Sequence, residues 1–343
     1  MKTNFFLLLL LALAGLAGCN DLTVGPEPRN TPEKNFDLLW QEYDRLYGLF
    51  EVKKLDWNAA YQAYRPMVTP GMTDDQFFEV ASRLLGELND GHVWLLKPGP
   101  GYRRYDSGPH YETNDFKPEV VEKYLEEVRD LNGPEGPAVR YGKLAGNLGY
   151  VSFKDLALSP AYYRKTLEEV LGALAGTRGL VVDARGITGG DDRAAQEVAG
   201  HFASERKLYL TTRFRNGSGH ADFAAPLEWY VEPTGKNRYA NPVVLLTSRN
   251  TQSAGETFTL AMRQNDRVTQ VGDTTYGIFS DNPQRELPNG WIFTISTGDF
   301  WAADGKSYEG IGLAPDVLIE NRREELEAGQ DKALEKAVQL LNP

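Results

Sequence analysis

Phe36, Leu39, Trp40, Tyr43, Leu46, Tyr47 and Phe50 recur at three- and four-residue spacing, which gives one broad apolar face and predicts a helix. Thr31-Pro32 in front supplies an N-cap followed by proline at the first helical position, where its missing N–H is no loss. The aromatic stripe reads as core rather than as a ligand box. A second, short helix is expected after Asp56. A third is expected from Thr73, where Thr73-Asp74-Asp75-Gln76 fits a capping box, to near Leu88, with Asn89-Asp90-Gly91 as the turn beyond. Residues 97–147 read as irregular, with one acidic helix from about Pro118 to Leu131.

From Leu148 the period changes. Leu148 to Phe153 alternates as a strand, and Ser159-Pro160 caps a helix to about Ala175. Gly179 to Asp183 and Pro242 to Thr247 are short continuous apolar runs, the pattern of strands buried on both faces. Gly189-Gly190 precedes a helix through about Ala203, and Ser253 opens another to about Arg263. Val268 to Val271 is a further strand, Leu287 to Ile295 a hairpin turning at Asn289-Gly290, and Arg322 to Leu341 a closing amphipathic helix. Strand–helix alternation predicts an α/β fold with a largely parallel sheet, preceded by a small helical bundle. The expected division is 31–90 helical, 91–147 a connecting segment with the start of the core, 148–320 α/β core and 321–343 C-terminal helix.

The first residues read as an address. Lys2, the apolar run Phe5 to Leu13 and the small residues Ala14, Gly15, Ala17 and Gly18 form a secretory signal over 1–18. Cys19, the sole cysteine, follows Leu16-Ala17-Gly18 at the position of a bacterial lipobox, so lipidation at Cys19 and a flexible tether over 19–30 are expected. Those features point to the bacterial cell envelope, facing periplasm or surface.

Charge narrows the partners. Asp and Glu number 48 against 37 Lys and Arg, a net charge of −11, which argues against a nucleic-acid partner, since that affinity comes from cations displacing counterions. One cysteine excludes an intrachain disulfide, and four scattered histidines, His92, His110, His201 and His220, lack metal-ligand spacing, so a structural zinc site is not expected. The spacing of Gly186, Gly189 and Gly190 is not that of a dinucleotide-binding loop. The oligomeric state is not legible.

Three loops carry candidate chemistry. Ser253 stands at a strand-to-helix turn, where the Ala254 amide and the helix dipole would face an oxyanion, although Ser253-x-x-Glu256 also fits a capping box. His92 leaves the Asn89-Asp90-Gly91 turn and could be a general base, or could pack beyond a helix end capped by a left-handed Gly91. Glu309, in a glycine-rich turn, could orient a histidine or lie solvated.

Taken in order, Glu87-Leu-Asn-Asp-Gly-His92, Gly179-Leu-Val-Val-Asp-Ala-Arg-Gly-Ile-Thr-Gly-Gly190, Ser253-Ala-Gly-Glu256, Val271-Gly-Asp-Thr-Thr-Tyr-Gly277 and Glu309-Gly-Ile-Gly-Leu-Ala-Pro-Asp316 resemble the C-terminal processing and tricorn-type serine peptidases over about 80–320. The resemblance implies a crotonase-like (ClpP-like) core and a peptide or protein substrate. It implies Ser253 as nucleophile, His92 as base, Glu309 as the glutamate of the tricorn-type branch, and an oxyanion hole from the amide of Ala254 with that of Gly189 or Gly190. The processing branch instead uses a lysine about 25 residues after the serine; that place is Ile278, and no lysine lies between Lys236 and Lys306. Ile187 and Thr188 stand where the family often has Asn and Gly, and 98–147 is too short for a full PDZ module, which leaves recognition to the cleft, with Trp94, Trp229 and Trp301 as candidates or as packing residues. A non-catalytic binder of a peptide or small apolar ligand, or an esterase, would fit the same cleft.

Overall fold

The computed structural model describes residues 30–111 and 116–342. The expected leader, Cys19 and all of the tether but Asn30 lie outside the described residues. Among the described residues, no helix is long and apolar enough to cross a membrane.

Four helices come first: α1 (Pro32–Leu46), α2 (Phe50–Lys53), α3 (Trp57–Tyr64) and α4 (Asp74–Gly86). Their starts follow the capping chemistry of the sequence. Thr31 accepts from Lys34 N, Asp56 from Ala59 N, and Thr73 and Gln76 satisfy each other's backbone in a complete capping box. Phe36, Leu39, Tyr43, Tyr47 and Phe50 are buried, so the aromatic stripe is core.

Fourteen strands follow among the described residues: β1 (Trp94–Lys97), β2 (Arg103–Asp106), β3 (Leu125–Gly133), β4 (Gly136–Leu144), β5 (Leu148–Phe153), β6 (Leu180–Asp183), β7 (Lys207–Phe214), β8 (Leu227–Val231), β9 (Val243–Thr247), β10 (Val268–Gly272), β11 (Gln284–Glu286), β12 (Ile292–Thr294), β13 (Gly298–Ala302) and β14 (Val317–Leu318). Interleaved with them are α5 (Pro118–Val121), α6 (Pro160–Ala173), α7 (Asp192–Gly200), α8 (Ala254–Met262), α9 (Arg323–Glu327) and α10 (Lys332–Leu341). The main sheet has the order β14-β10-β9-β6-β5-β4-β3, parallel from β14 to β5 and antiparallel over β5-β4-β3.

Burial explains the continuous apolar strands. Val182 and Leu245 face α6, α7 and α8 on one side, whereas Val181, Val244 and Leu246 face Leu334, Ala337 and Leu341 of α10 on the other. With both faces covered, alternation disappears from the sequence. The β11-β12-β1-β2 sheet closes the helical region, burying Leu95, Trp291 and Phe293 among the helices' aromatics, and the hairpin turns at Asn289-Gly290 as expected. A third sheet, β13-β7-β8, flanks the core.

Three expectations fail. Residues 97–147 are not irregular, since β2, β3 and β4 lie there and β4 pairs with β5 of the core. The acidic helix to Leu131 stops at Val121 plus one 3-10 turn, and Leu125–Gly133 is the edge strand β3. Leu125, Val128 and Leu131 are three apart, which reads as helical. In the strand, a bulge between Glu126 and Arg129, with Glu127 at φ 53°, inserts the extra residue that lets this spacing fit a β-ladder. The C-terminal helix is two helices, because Gly329 at φ 80° breaks the first and Asp331 caps the second through Leu334 N at 3.0 Å.

Candidate active site

The loop after β9 makes a tight turn into α8. Gly255 N donates to Gln252 O at 2.8 Å, and Ser253 sits at φ 51°, ψ −118°. That is the second position of a type II′ turn, one that glycine dominates. A serine there is strained by about 1–3 kcal/mol and persists because its surroundings hold it. Thr251 provides part of that hold: its Oγ1 donates to Ala184 O at 3.0 Å and accepts from Ser248 N at 3.1 Å. Gln252 N donates to Ile187 O at 2.9 Å. Ser253 makes no side-chain cap, so the alternative capping box is not formed, and its hydroxyl has no hydrogen-bond partner among the described residues. Ala254 is the first residue of the buried helix α8, so its amide has no intrahelical acceptor and the positive end of the helix dipole lies beside the serine.

Gly189 and Gly190 pass directly by. A Cβ on Gly189 would sit 3.6 Å from Ser253 Cβ and 3.9 Å from its Oγ. Gly190, at φ 145°, lies so near Leu156 that a Cβ would fall 2.2 Å from that residue's carbonyl carbon. Leu156 N donates to Gly189 O and Asp191 N to Leu156 O, a parallel bridge that leaves the Gly190 amide pointing to the other side of its chain. Ile187, the departure from the family pattern, is fully buried and sets this loop through its carbonyl, while Thr188 is exposed.

His92 is held by its backbone. Its N–H donates to Asp90 Oδ1 at 2.9 Å, and Thr294 Oγ1 donates to its carbonyl at 2.6 Å. Tyr47 OH donates to Asp90 Oδ2 at 2.9 Å. The left-handed residue of this turn is Asn89, at φ 44°, rather than Gly91. Gly91 instead admits Tyr276 and Ile278, whose atoms would lie 2.8 Å from a Cβ there. His92 is buried and its Nδ1 has no partner among the described residues. Burial lowers its pKa, Lys53 adds to that, and the charges of Asp90 and Asp281 oppose it.

The stretch 275–279 links these pieces, and its partner is Glu256, which the sequence offered only as half of a capping box. Glu256 is fully buried and turned into this loop: Oε1 accepts from Thr275 Oγ1 and Gly277 N at 2.5 and 2.8 Å, and Oε2 from Ile278 N at 2.7 Å. Tyr276 N donates to Thr251 O, and Gly310 N to Gly277 O. Glu309 Oε2 accepts from Phe279 N at 2.9 Å, and its Oε1 lies 3.3 Å from Lys53 Nζ. Burial pushes Glu256 up to about 8 and Glu309 to about 7. Glu256 is the one charged residue in the run Ala254 to Met262, which was the available signal for it; Lys53 had none.

The structure thus seats Ser253 against Gly189 and ties the His92, Ser253 and Glu309 segments through 275–279. Among the described residues it draws no hydrogen bond from Ser253 to His92 or from His92 to Glu309; the ion partner of Glu309 is Lys53. Trp94 lies beneath the Arg104 guanidinium, Trp229 donates to Thr212 Oγ1, and Trp301 is half-buried. His201 Nδ1 faces the Asn237 carbonyl and His220 Nε2 is 2.8 Å from Asp44 Oδ1. No group of three or more His, Cys, Asp or Glu among the described residues could hold a metal ion.

Residues 147–319 match the model of peptidase family S41, and residues 28–86 match the tricorn protease C1 domain. The chain is 26% identical over 200 residues to the tricorn protease of Thermoplasma volcanium, covering 57% of this chain and 17% of that protein. It is 23% identical over 176 residues to the carboxy-terminal processing protease CtpA of Bacillus subtilis, covering 51% of this chain and 35% of that one. The matched part of the chain therefore spans well under half the length of these two relatives. A crystal structure titled as a candidate peptidase of Parabacteroides merdae superposes with a TM-score of 0.80 at 28% identity, covering 91% of this chain and 97% of its own.

Proposed function

The chain belongs to peptidase family S41, and on that premise we propose that it is a serine peptidase that cleaves peptide bonds through an acyl-enzyme. In this reading Ser253 Oγ attacks the scissile carbonyl carbon while His92 takes the hydroxyl proton. The Ala254 amide, with that of Gly189 or Gly190, holds the oxyanion. His92 then gives the proton to the leaving amine, and water releases the acyl group. Glu309, as a carboxylate, favours the transient imidazolium. The lowered pKa of His92 suits this, since a base must start neutral. Hydrogen bonds between such groups are often long without substrate and tighten only in the reacting complex.

The observation that carries the proposal is Ser253 itself: a non-glycine residue at φ 51°, beside a helix N-terminus and a glycine backbone, with its hydroxyl unengaged. The test is covalent labelling by a fluorophosphonate probe. Wild type should label, and Ser253→Ala and His92→Ala should lose at least about a hundredfold in rate while staying folded. A folded wild type that does not label turns the reading to a binding protein on the same scaffold.

We also propose that the protein is exported and anchored through a lipid on Cys19, which would direct it to exported proteins or peptides. The support is the leader-like run ending in Leu16-Ala17-Gly18-Cys19. An alkyne fatty acid fed to expressing bacteria should enter the wild type and not Cys19→Ala. Equal incorporation by both would refute the anchor.

A further inference from the structure

Glu309 is faced from several elements. Phe279 N–H donates to one oxygen, Lys53 Nζ approaches the other, and Asp90, Tyr47 and Glu256 surround it. Lys53 is the cation in that set, and it comes from outside the α/β core. It is the last residue of α2, and its Nζ also donates to Asn89 O at 2.9 Å, three residues before His92. The ammonium thus bridges the histidine turn and the glutamate. The pair is nearly dry, with side chains 12% and 2% exposed, so solvent screens it far less than a surface ion pair.

We propose that Lys53 is a positioning residue of the hydrolytic site, fixing the Glu309 carboxylate against the Asn89–His92 turn and making the N-terminal helices part of the active site. This inference rests on the peptidase reading above. Its electrostatics agree with that reading. Lys53 favours ionised Glu309 against the burial that raises it, and favours neutral His92. One ammonium therefore biases both groups toward the state from which Ser253 would be activated, while Asp90 pulls both the other way and Asp281 raises His92 as well.

The test is the pH profile of fluorophosphonate labelling. Lys53→Gln keeps a donor for the Asn89 carbonyl and removes the charge; Lys53→Arg keeps the charge. Without the cation both pKa values rise, so the acid limb should move up by about one pH unit in Lys53→Gln. Labelling at about pH 6 should then fall about tenfold while that at about pH 9 stays near wild type, and Lys53→Arg should restore the limb. A folded Lys53→Gln with an unshifted limb, or an equal loss at every pH in both variants, overturns the proposal. Should Lys53→Gln not fold, Lys53→Met is read the same way. Misfolding of both neutral variants beside a folded Lys53→Arg would make the cation a stability element and overturn it too. A wild type that never labels sinks the peptidase reading instead, so the two failures are distinguishable.

Discussion

At Ser253 the sequence offers two uses of one hydroxyl, and the backbone decides between them. A cap needs extended φ and ψ, from which the side chain can reach the first turn of the helix. At φ 51° the side chain is swung away from those amides, and Glu256 is released from the capping box to another task. That task has a pH signature. The folded Glu256 holds its proton to about pH 8, against an ordinary 4.5, because burial outweighs three donors and the charge of Glu309 adds to it. A raised pKa means stability present below the ordinary value and lost as pH rises through the folded one. Stability should therefore decline between about pH 5 and 8, with Glu309 contributing the same sign up to about 7 and His92, lowered by burial, the opposite sign near its own range. Glu256→Gln does not titrate, and its amide leaves one of the three donors without an acceptor, a cost of about 1–3 kcal/mol. Urea unfolding of both proteins should show wild type ahead at about pH 5 by that amount, with its lead lost and then reversed before about pH 8, since each pH unit removes about 1.4 kcal/mol. A constant difference across that range would show that Glu256 is already ionised.

At the scale of elements, legibility depended on how many faces an element buries and whether its partner is local. The helices α1, α3, α4 and α6 were readable from caps and periodicity because both signals lie within each segment. Strands β6 and β9 were readable as apolar runs because both of their faces are covered. Strand β3 was not, since its bulge produces helical spacing and its one partner among the described residues is β4, whose pairing no local signal announces. Strands β7, β8 and β13 form a sheet whose members lie up to about ninety residues apart, so pairing defines them more than composition does. The site divides in the same way. Ser253, His92, Glu309 and the two glycines stand in contiguous motifs. Asp90 and Glu256 lie in the same motifs, but the partners they hold at Tyr47 and at 275–278 come from across the fold, and Lys53, at the end of a four-residue helix, has nothing in its neighbours to mark it.

Across the molecule, Arg185 couples the sheet, the C-terminal helix and the serine turn. Its guanidinium is fully buried, with Nε and one Nη on Asp183 at 2.9 and 2.7 Å and the other Nη on Asp331 at 2.9 Å. Tyr150 OH also donates to Asp183, and Phe116 stacks 4.7 Å from the guanidinium carbon. Asp331 is the N-cap of α10, so the ion cluster fixes where that helix lies on the sheet. The same short segment reaches the site, because Ala184 O accepts from Thr251 and Arg185 O from Asn250. Removing the guanidinium leaves two buried carboxylates without their cation, which costs more than the intact cluster ever contributed. Arg185→Met, similar in volume, should therefore destabilise by about 3–5 kcal/mol in chemical denaturation. Backbone amides of Lys332–Leu341 should exchange faster by a corresponding factor, since α10 loses the group that orients its cap. Adding Asp183→Asn and Asp331→Asn should recover much of the loss, because the neutral amides leave no uncompensated charge. If the single variant were as stable as wild type, the ion cluster would not hold α10, which would then rest on the apolar contacts of Ala333, Leu334, Ala337 and Leu341.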